Sequence, residues 1–157
     1  MNATNYDEDI VAWANQQAKF IRSRQFHLLD LEHIAEEIED VGKSEQRELA
    51  SRMAVLLCHL LKWQYQPLLR GSSWQATIRT QRDRIRCRLQ KTPSLKTCLQ
   101  DPEWWLDAWA DAKDAASQQT SIAYDQFPEQ FPWDGDRILT ENWFPELEEG
   151  EEYYESL

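Results

Sequence analysis

The residues best suited to chemistry lie along one predicted helix, within residues 29–67. If this helix is unbroken, Glu37, His59 and Lys62 fall on a strip that borders its apolar face, where a second helix would half bury them. Glu37 and His59 are then six turns apart, roughly 33 Å at 1.5 Å per residue. One chain therefore cannot place both side chains on the same metal ion unless the helix folds back at Gly42.

A recognised metal pattern is also missing from this stretch. A di-iron carboxylate bundle requires Glu-x-x-His spacing on two helices, and only Asp30 and His33 approach it. The sequence favours carboxylates that pair with arginines and a histidine at the edge of the core. It predicts no metal and no cofactor, and a helical-bundle enzyme or metal-binding protein stays open as an alternative.

Arginines define a second candidate surface on the only predicted basic helix. Residues 70–91 carry seven basic residues against Asp83, a net charge of +6, and residues 30–48 carry a net charge of −6. These opposite blocks favour pairing between two helices of the same chain, although each exposed pair contributes little. Nucleic-acid contact through Arg79–Arg88 is a third possibility. The arginines occupy two sides of the helix: Arg79, Arg82 and Arg86 on one, Arg84 and Arg88 on the other.

Nucleophilic catalysis has little support in the sequence. Cys58 and His59 are adjacent, so on a helix they point about 100° apart and cannot act on each other. Cys87 lies beside Arg84 and Arg88, whose charge would lower the pKa of a thiol, but buried and inert cysteine is the commoner case. There is no Gly-rich phosphate loop and no Gly-x-Ser-x-Gly turn. We therefore expect no catalytic activity.

The element that positions most of these residues is a long amphipathic helix, predicted over about residues 30–66. Asp30 is suited to cap its start and Pro67 to end it. Gly42 could stop the helix, but the apolar stripe keeps its phase across this position, so we predict one continuous helix. The stripe consists of Leu31, Ile34, Ile38, Val41, Leu49, Met53, Leu56, Leu60 and Trp63.

Shorter helices are predicted on both sides of the long one. The first begins at a cap formed by Thr4 or Asn5, and Ser72 with Gln75 forms a capping-box pattern for the basic helix. Its inward positions would be Trp74, Ile78, Gln81, Ile85 and Leu89, and those of the first helix would be Tyr6, Ile10, Trp13, Ala14, Gln17 and Ile21.

Proline and aspartate mark the later helix starts. Thr92-Pro93 and Asp101-Pro102 each place Pro at a first helical position, and Asp134-Gly135 begins a short helix. The segment between them, residues 120–132, is irregular and rich in Pro and aromatic residues. The predicted fold is therefore all-α, a helical bundle of five or six helices organised on the long helix, with an irregular Pro/aromatic C-terminal segment.

Composition bounds the domain count and the partners. The 157 residues suit one domain, predicted over 1–145, and six glutamates make 146–157 an acidic tail that we expect to be disordered. The net charge of −11 makes nucleic acid an unlikely general partner. Eight tryptophans, spread along the chain, suit anchors between packed helices.

Cysteine usage and hydropathy bear on location. Three scattered cysteines form neither a disulfide framework nor a zinc spacing, and no signal peptide precedes them. The longest charge-free apolar run, residues 53–61, is too short to span a bilayer. We expect a soluble cytoplasmic protein with no membrane partner.

Several segments, taken together, resemble the cyanobacterium-rich Domain of Unknown Function 29 family. The resemblance covers nearly the whole chain except the tail, and it implies a compact all-helical fold with no established activity. The matching segments are Leu29-Asp30, Ala35-Glu36-Glu37-Ile38-Glu39, Gly42, His59-Leu60-Leu61-Lys62-Trp63, Gln66-Pro67, Ser73-Trp74, Thr77-Ile78, Gln81-Arg82, Pro93-Ser94-Leu95, Pro132-Trp133, Ile138-Leu139 and Trp143-Phe144-Pro145.

The resemblance also implies polar residues where packing alone does not require them, which defines a candidate functional cluster. Antiparallel pairing of the long helix in a dimer would bring Glu37 of one chain near His59 of the other. The candidate functional cluster comprises Glu36, Glu37, Glu39, His59, Lys62, Trp63, Gln66, Trp74 and Arg82.

The leading hypothesis for the function is a small acidic protein that binds another protein or itself through helix faces.

Overall fold

A computed structural model of the protein describes residues 4–146. Over this range the chain is all-α and has no strand, which confirms the predicted helical bundle. Its α-helices are α1 (Ile10–Arg22), α2 (Leu31–Tyr65), α3 (Ser72–Lys91), α4 (Pro102–Thr120) and α5 (Gly135–Ile138). Short 3₁₀ helices lie at Phe26–Leu28, Pro67–Leu69, Pro93–Gln100 and Tyr124–Gln126. The predicted acidic tail lies outside the described residues, apart from Glu146.

Helix α2 is one continuous element, as predicted, and it passes through Gly42 without a break. Asp30 caps its start, because the backbone N–H of His33 donates to the Asp30 Oδ1 at 3.4 Å. The helix ends at Tyr65, two residues before Pro67, which begins a 3₁₀ helix. Both predicted ends of the long helix are therefore confirmed.

The chain forms two compact units that divide between Ser44 and Glu45, so α2 contributes to both. The first unit contains α1, and the second contains α3, α4 and α5. The single domain expected over residues 1–145 stays a prediction, since compactness alone does not show whether the units fold independently.

The core of the second unit forms around the last four turns of α2. Four residues of the predicted stripe are completely buried there, and both small and large side chains of the other helices pack against them. Ala112 and Ala116 of α4 are completely buried in this core together with the bulky Trp109. The buried α2 residues are Leu49, Met53, Leu56 and Leu60, and their partners in the core include Ile78, Ile85 and Ile138.

The first half of the stripe differs from the prediction. Leu31, Ile38 and Val41 are 68%, 68% and 67% exposed, whereas the periodicity assigned them to the core. Hydrophobic periodicity reports which residues share a face, but it does not report whether the chain supplies a partner for that face. The expectation of one uniformly buried stripe is therefore wrong for residues 31–41.

The start of α1 also differs from the prediction. Asp9, not Thr4 or Asn5, is the N-cap, and its Oδ1 accepts a hydrogen bond from the N–H of Ala12 at 3.0 Å. The Asn5 side chain instead accepts from the N–H of Asp7 in a turn that precedes the helix. This local hydrogen bond competes with helix formation, as Asn side chains often do. Ile10 and Ile21, predicted to face inward, are about half exposed.

The later helix starts follow the sequence signals more closely. Asp101 caps α4 by accepting from Glu103, and Asp134 caps α5 by accepting from Asp136. The capping box predicted at Ser72 is wrong, because α3 begins one residue earlier and its N-cap is Gly71, which has no side chain to accept a hydrogen bond. The short helix predicted at Thr92-Pro93 is a 3₁₀ helix.

Two glycines should respond in opposite ways to substitution by alanine. A Cβ at Gly42 would meet no atom within 4 Å, so Gly42→Ala should raise the free energy of unfolding by about 1 kcal/mol through helix propensity. A Cβ at Gly135 would lie 3.0 Å from Trp105 Cζ2, in an indole that Phe131 holds by stacking at 4.8 Å. Gly135→Ala should therefore destabilise the protein by about 1 kcal/mol or more.

Urea unfolding followed by circular dichroism measures both effects. Two shifts of the same sign would contradict this account of the space around the two glycines.

Candidate functional site

A polar network ties α1 to the start of α2 within the first unit. The Trp13 indole N–H donates to the Asp30 Oδ2 at 3.1 Å, and His33 Nδ1 lies 2.7 Å from the same oxygen. The backbone N–H of Asp30 donates to the Gln17 Oε1 at 2.8 Å. Trp13 and Gln17 are buried, so Asp30 anchors the helix start to the interior of this unit.

Tyr6 extends this network to a residue of the predicted cluster. Its ring stacks on His33 with centroids 4.1 Å apart and meets Trp13 edge-on at 4.9 Å. The Tyr6 hydroxyl donates to the Glu37 Oε1 at 2.5 Å. This hydrogen bond to a carboxylate, with the nearby negative charge, raises the pKa of Tyr6 to about 12. Glu37 therefore accepts from a neutral phenol and serves to position it.

The Asp30 and His33 side chains form an ion pair when the histidine is protonated. Their mutual hydrogen bond lowers the pKa of Asp30 and raises the pKa of His33. Asp30 and His33 are the two residues whose spacing in the sequence approaches a metal-binding pattern. In the structure they instead contact each other. Within residues 4–146 no group of three or more His, Cys, Asp or Glu side chains could hold a metal ion.

A second polar cluster lies in the second unit, around Lys62. The Lys62 ammonium donates to the Gln119 Oε1 at 2.9 Å and sits 4.9 Å from the centre of the Trp74 ring. Cys58 Sγ is 3.9 Å from the same Gln119 oxygen. The structure therefore brings together two members of the predicted cluster, Lys62 and Trp74, in direct contact, and Gln119 joins Lys62 to Cys58.

The pKa shifts of the Cys58 thiol and of the neighbouring His59 imidazole both favour the neutral form. Burial raises the pKa of the Cys58 thiol. Burial also lowers the pKa of His59, against a hydrogen bond from its Nδ1 to the Val55 carbonyl at 2.9 Å. A neutral thiol and a neutral imidazole that bonds its own helix are not arranged as a nucleophile and its base.

Arg82 lies in the interior of the second unit. Helical spacing places it on one side of α3 with Arg79 and Arg86, and its side chain is only 2% exposed. Its Nε–H donates to the carbonyl of Ile138 at 2.7 Å, and Nη2 donates to the carbonyl of Trp143. Burial, together with the charge of Arg86, lowers the pKa of Arg82 to about 10, so the group is still charged at neutral pH.

An aromatic pair extends this contact to α2. The Arg82 guanidinium lies 5.6 Å from the centre of the Phe144 ring, and Phe144 stacks on Trp63 with centroids 4.3 Å apart. The Arg70 guanidinium lies 5.1 Å from the centre of the Trp63 ring. Trp63 and Arg82, both predicted site residues, are therefore joined through Phe144, and together they fix the C-terminal segment.

Arg88 confirms part of the predicted pairing between opposite charges. Its two Nη atoms lie 2.7 Å from carboxylate oxygens of Glu45 and Glu48, and Arg52 also contacts Glu48 at 3.0 Å. Of the other arginines in α3, only Arg86 forms an ion pair with another described residue, a long one of 3.7 Å to Asp83. The charge match between the helices is therefore concentrated at one residue.

The remaining predicted residues do not join either cluster. Glu36 and Glu39 are exposed, and Gln66 is half-buried near the end of α2. Sequence reasoning placed Tyr6, Trp13 and Gln17 on the inner face of α1 but did not connect them with Asp30. Nothing in the sequence singled out Gln119, because a glutamine near a helix end carries no pattern of its own.

Among the helices of the described residues, none is both long and apolar enough to cross a membrane. The family model for the domain of unknown function DUF29 matches residues 5–144. The comparisons with curated proteins and with solved structures gave no match.

In an NMR pH titration, the pKa of His33 should lie above 6.5 and the pKa of His59 below 6.5. The hydrogen bond to Asp30 raises the pKa of His33, and burial lowers that of His59. Asp30→Asn should lower the pKa of His33 and leave the pKa of His59 unchanged, so His59 serves as the internal control. The His33–Asp30 attraction requires a protonated His33 and an ionised Asp30. It therefore stabilises the fold fully between the ordinary pKa values of the two groups, 3.8 and 6.5, and it is lost as the pH rises through the raised His33 pKa or falls through the lowered Asp30 pKa. A His33 value below 6.5 would contradict the geometry.

Proposed function

The chain belongs to the DUF29 family, described only as a domain of unknown function, and we propose that it is a protein-interaction module that associates with a second copy of itself. The observation that carries this proposal is the exposed apolar face over residues 31–41 of α2. Three large aliphatic side chains on one helix face are each about two-thirds exposed, namely Leu31, Ile38 and Val41.

The spacing of this face suits a second helix. Leu31, Ile34, Ile38 and Val41 are separated by three, four and three residues, which is the pattern of a coiled-coil seam. A seam of this kind leaves the partner helix nearly parallel or antiparallel to the first. The pattern extends over two heptads, so we expect a weak and concentration-dependent association.

Small residues beside the seam also support close approach. Ala35 and Gly42 lie seven residues apart on the flank of the apolar face, and both are exposed. Gly42 costs the helix about 1 kcal/mol relative to alanine, and no atom of residues 4–146 lies within 4 Å of the place where its Cβ would be. Packing within this part of the chain thus gives no reason for a glycine here, whereas the backbone of a second helix would use the space.

An antiparallel arrangement about position 36 pairs the seam residues with one another. Leu31 of each chain then lies opposite Val41 of the other, and Ile34 lies opposite Ile38. The same patch faces itself, as a two-fold symmetric interface requires. Because the patch is self-complementary, a second copy is a sufficient partner.

This register differs from the one that would join Glu37 to His59. That earlier arrangement centres on position 48, where Leu49 is completely buried and Glu45 and Glu48 are engaged with Arg88. The metal-binding or enzyme alternative also loses support, because the Glu37 carboxylate already accepts a hydrogen bond from the Tyr6 hydroxyl.

Location in the cytoplasm is part of the same proposal. All three cysteines of the chain are free thiols, and Cys58 and Cys98 are buried in the core of the second unit. Free thiols are typical of reducing compartments.

Analytical ultracentrifugation over a concentration series tests self-association. We expect a monomer–dimer equilibrium, which Ile38→Ser should shift at least tenfold toward monomer by removing an apolar seam residue. Leu106→Ser is the matched control, because Leu106 is an apolar residue of α4 that is 61% exposed and is not part of the seam. Added salt should strengthen the dimer, since five acidic residues and one lysine lie within residues 31–44.

A monomer at every concentration would overturn the proposal. So would an equal effect of the two serine variants, which would show that the seam has no special role.

A further inference from the structure

Arg82 brings a positive charge into the interior without a carboxylate to balance it. None of the ion pairs formed by residues 4–146 involves Arg82, although it is 2% exposed. A buried charge is costly unless it is paired and fully hydrogen-bonded. Two backbone carbonyls accept from Nε and Nη2, and the remaining N–H groups have no partner among the described residues.

Arg82 belongs to the wall of a cavity. The cavity has a volume of about 190 Å³ and is lined by Arg82 together with Arg79 and Arg86. Arg79 and Arg86 are three residues before and four residues after Arg82, so the three guanidinium groups share one face of α3. Arg79 forms no ion pair within the described part of the chain, and Arg86 forms only the long contact with Asp83.

Neutral polar groups and one carboxylate complete the cavity wall. The side-chain amides of Gln75 and Asn142 line it and can each donate hydrogen bonds. Glu141 lines it too, so the three arginines and this glutamate give the wall a formal charge of +2. Phe144 and Ile78 form its apolar part.

We propose that this cavity binds a phosphate group as its dianion, held by Arg79, Arg82 and Arg86. Guanidinium groups match the oxygens of phosphate with paired hydrogen bonds. A phosphate that carries close to two negative charges balances the wall, whereas a carboxylate or a phosphodiester carries only one. The ligand class is therefore inorganic phosphate or the terminal phosphate of a small molecule.

The site lies wholly within the second unit and does not depend on self-association through α2. It accounts for the basic character of α3 without nucleic acid. It also explains how a buried arginine can keep its charge, since a bound dianion would supply the missing counter-charge.

Isothermal titration of the full-length protein with inorganic phosphate tests the proposal. We expect saturable binding at one site per chain, which Arg79→Ala and Arg86→Ala should each weaken about tenfold. Both side chains are exposed, so the variants should fold. Arg84→Ala is the matched control, because Arg84 is an exposed arginine of the same helix that does not line the cavity. Glu141→Gln should strengthen binding severalfold by removing a like charge beside the anion.

Three outcomes would overturn the phosphate site: no saturable heat with phosphate, an equal loss in Arg84→Ala and Arg79→Ala, or acetate binding as tight as phosphate. The first would show that the cavity binds no phosphate. The second would show attraction by the overall charge of α3, and the third a site for anions in general.

Discussion

Among the described residues, the apolar face of α2 has a partner along only part of its length, and much of the structure follows from this imbalance. From Leu49 onward this face packs in one core with residues of α3, α4 and the short α5, and its leucines are completely buried. Over residues 31–41 the same face carries large aliphatic side chains that stay exposed. Burial of such side chains is the main favourable term in folding and association. The apolar stripe runs along the whole of α2, but the other described helices bury only its C-terminal part. The C-terminal part of α2 therefore packs in the core, and the N-terminal part carries the face through which we propose self-association.

The second organising feature is the use of charged and aromatic side chains to hold irregular backbone. The residues after α4 contain little regular structure, so their carbonyls need partners from elsewhere. Arg82 supplies two of these bonds, to Ile138 and Trp143, and the indole N–H of Trp109 supplies another to Pro128. Stacked and edge-on rings then fill the space between the segment and the helices. The aromatic residues thus act as anchors between elements, as their spread along the sequence predicted.

Features encoded by neighbouring residues could be predicted from the sequence. The continuity of α2, its end before Pro67 and the caps at Asp101 and Asp134 each depend on local geometry. Features that depend on distant parts of the chain could not. Leu31 and Ile38 are exposed because no helix within residues 4–146 covers them, and the burial of Arg82 is set by carbonyls more than fifty residues away.

The candidate functional cluster likewise combines features that neighbouring residues encode with features that depend on distant parts of the chain. Helical spacing placed Lys62 on the strip beside the apolar face, but its contact with Gln119 joins residues 57 positions apart. No periodicity within one helix specifies such a contact. The sequence therefore identified polar residues of interest and their helices, while their groupings depended on tertiary packing.

The polar groups that suggested catalysis mostly have structural partners. Glu37 accepts from Tyr6, His59 bonds the carbonyl of Val55, and the Lys62 ammonium is held between Gln119 and Trp74. A group that already has a partner must break that contact to act on a substrate, which raises the cost of using it. The cavity arginines of α3 differ, because Arg79 and Arg82 form no ion pair with another described residue and Arg86 forms only the long contact with Asp83. These cations need not break a strong ion pair to bind an anion, which is the physical basis of the phosphate proposal.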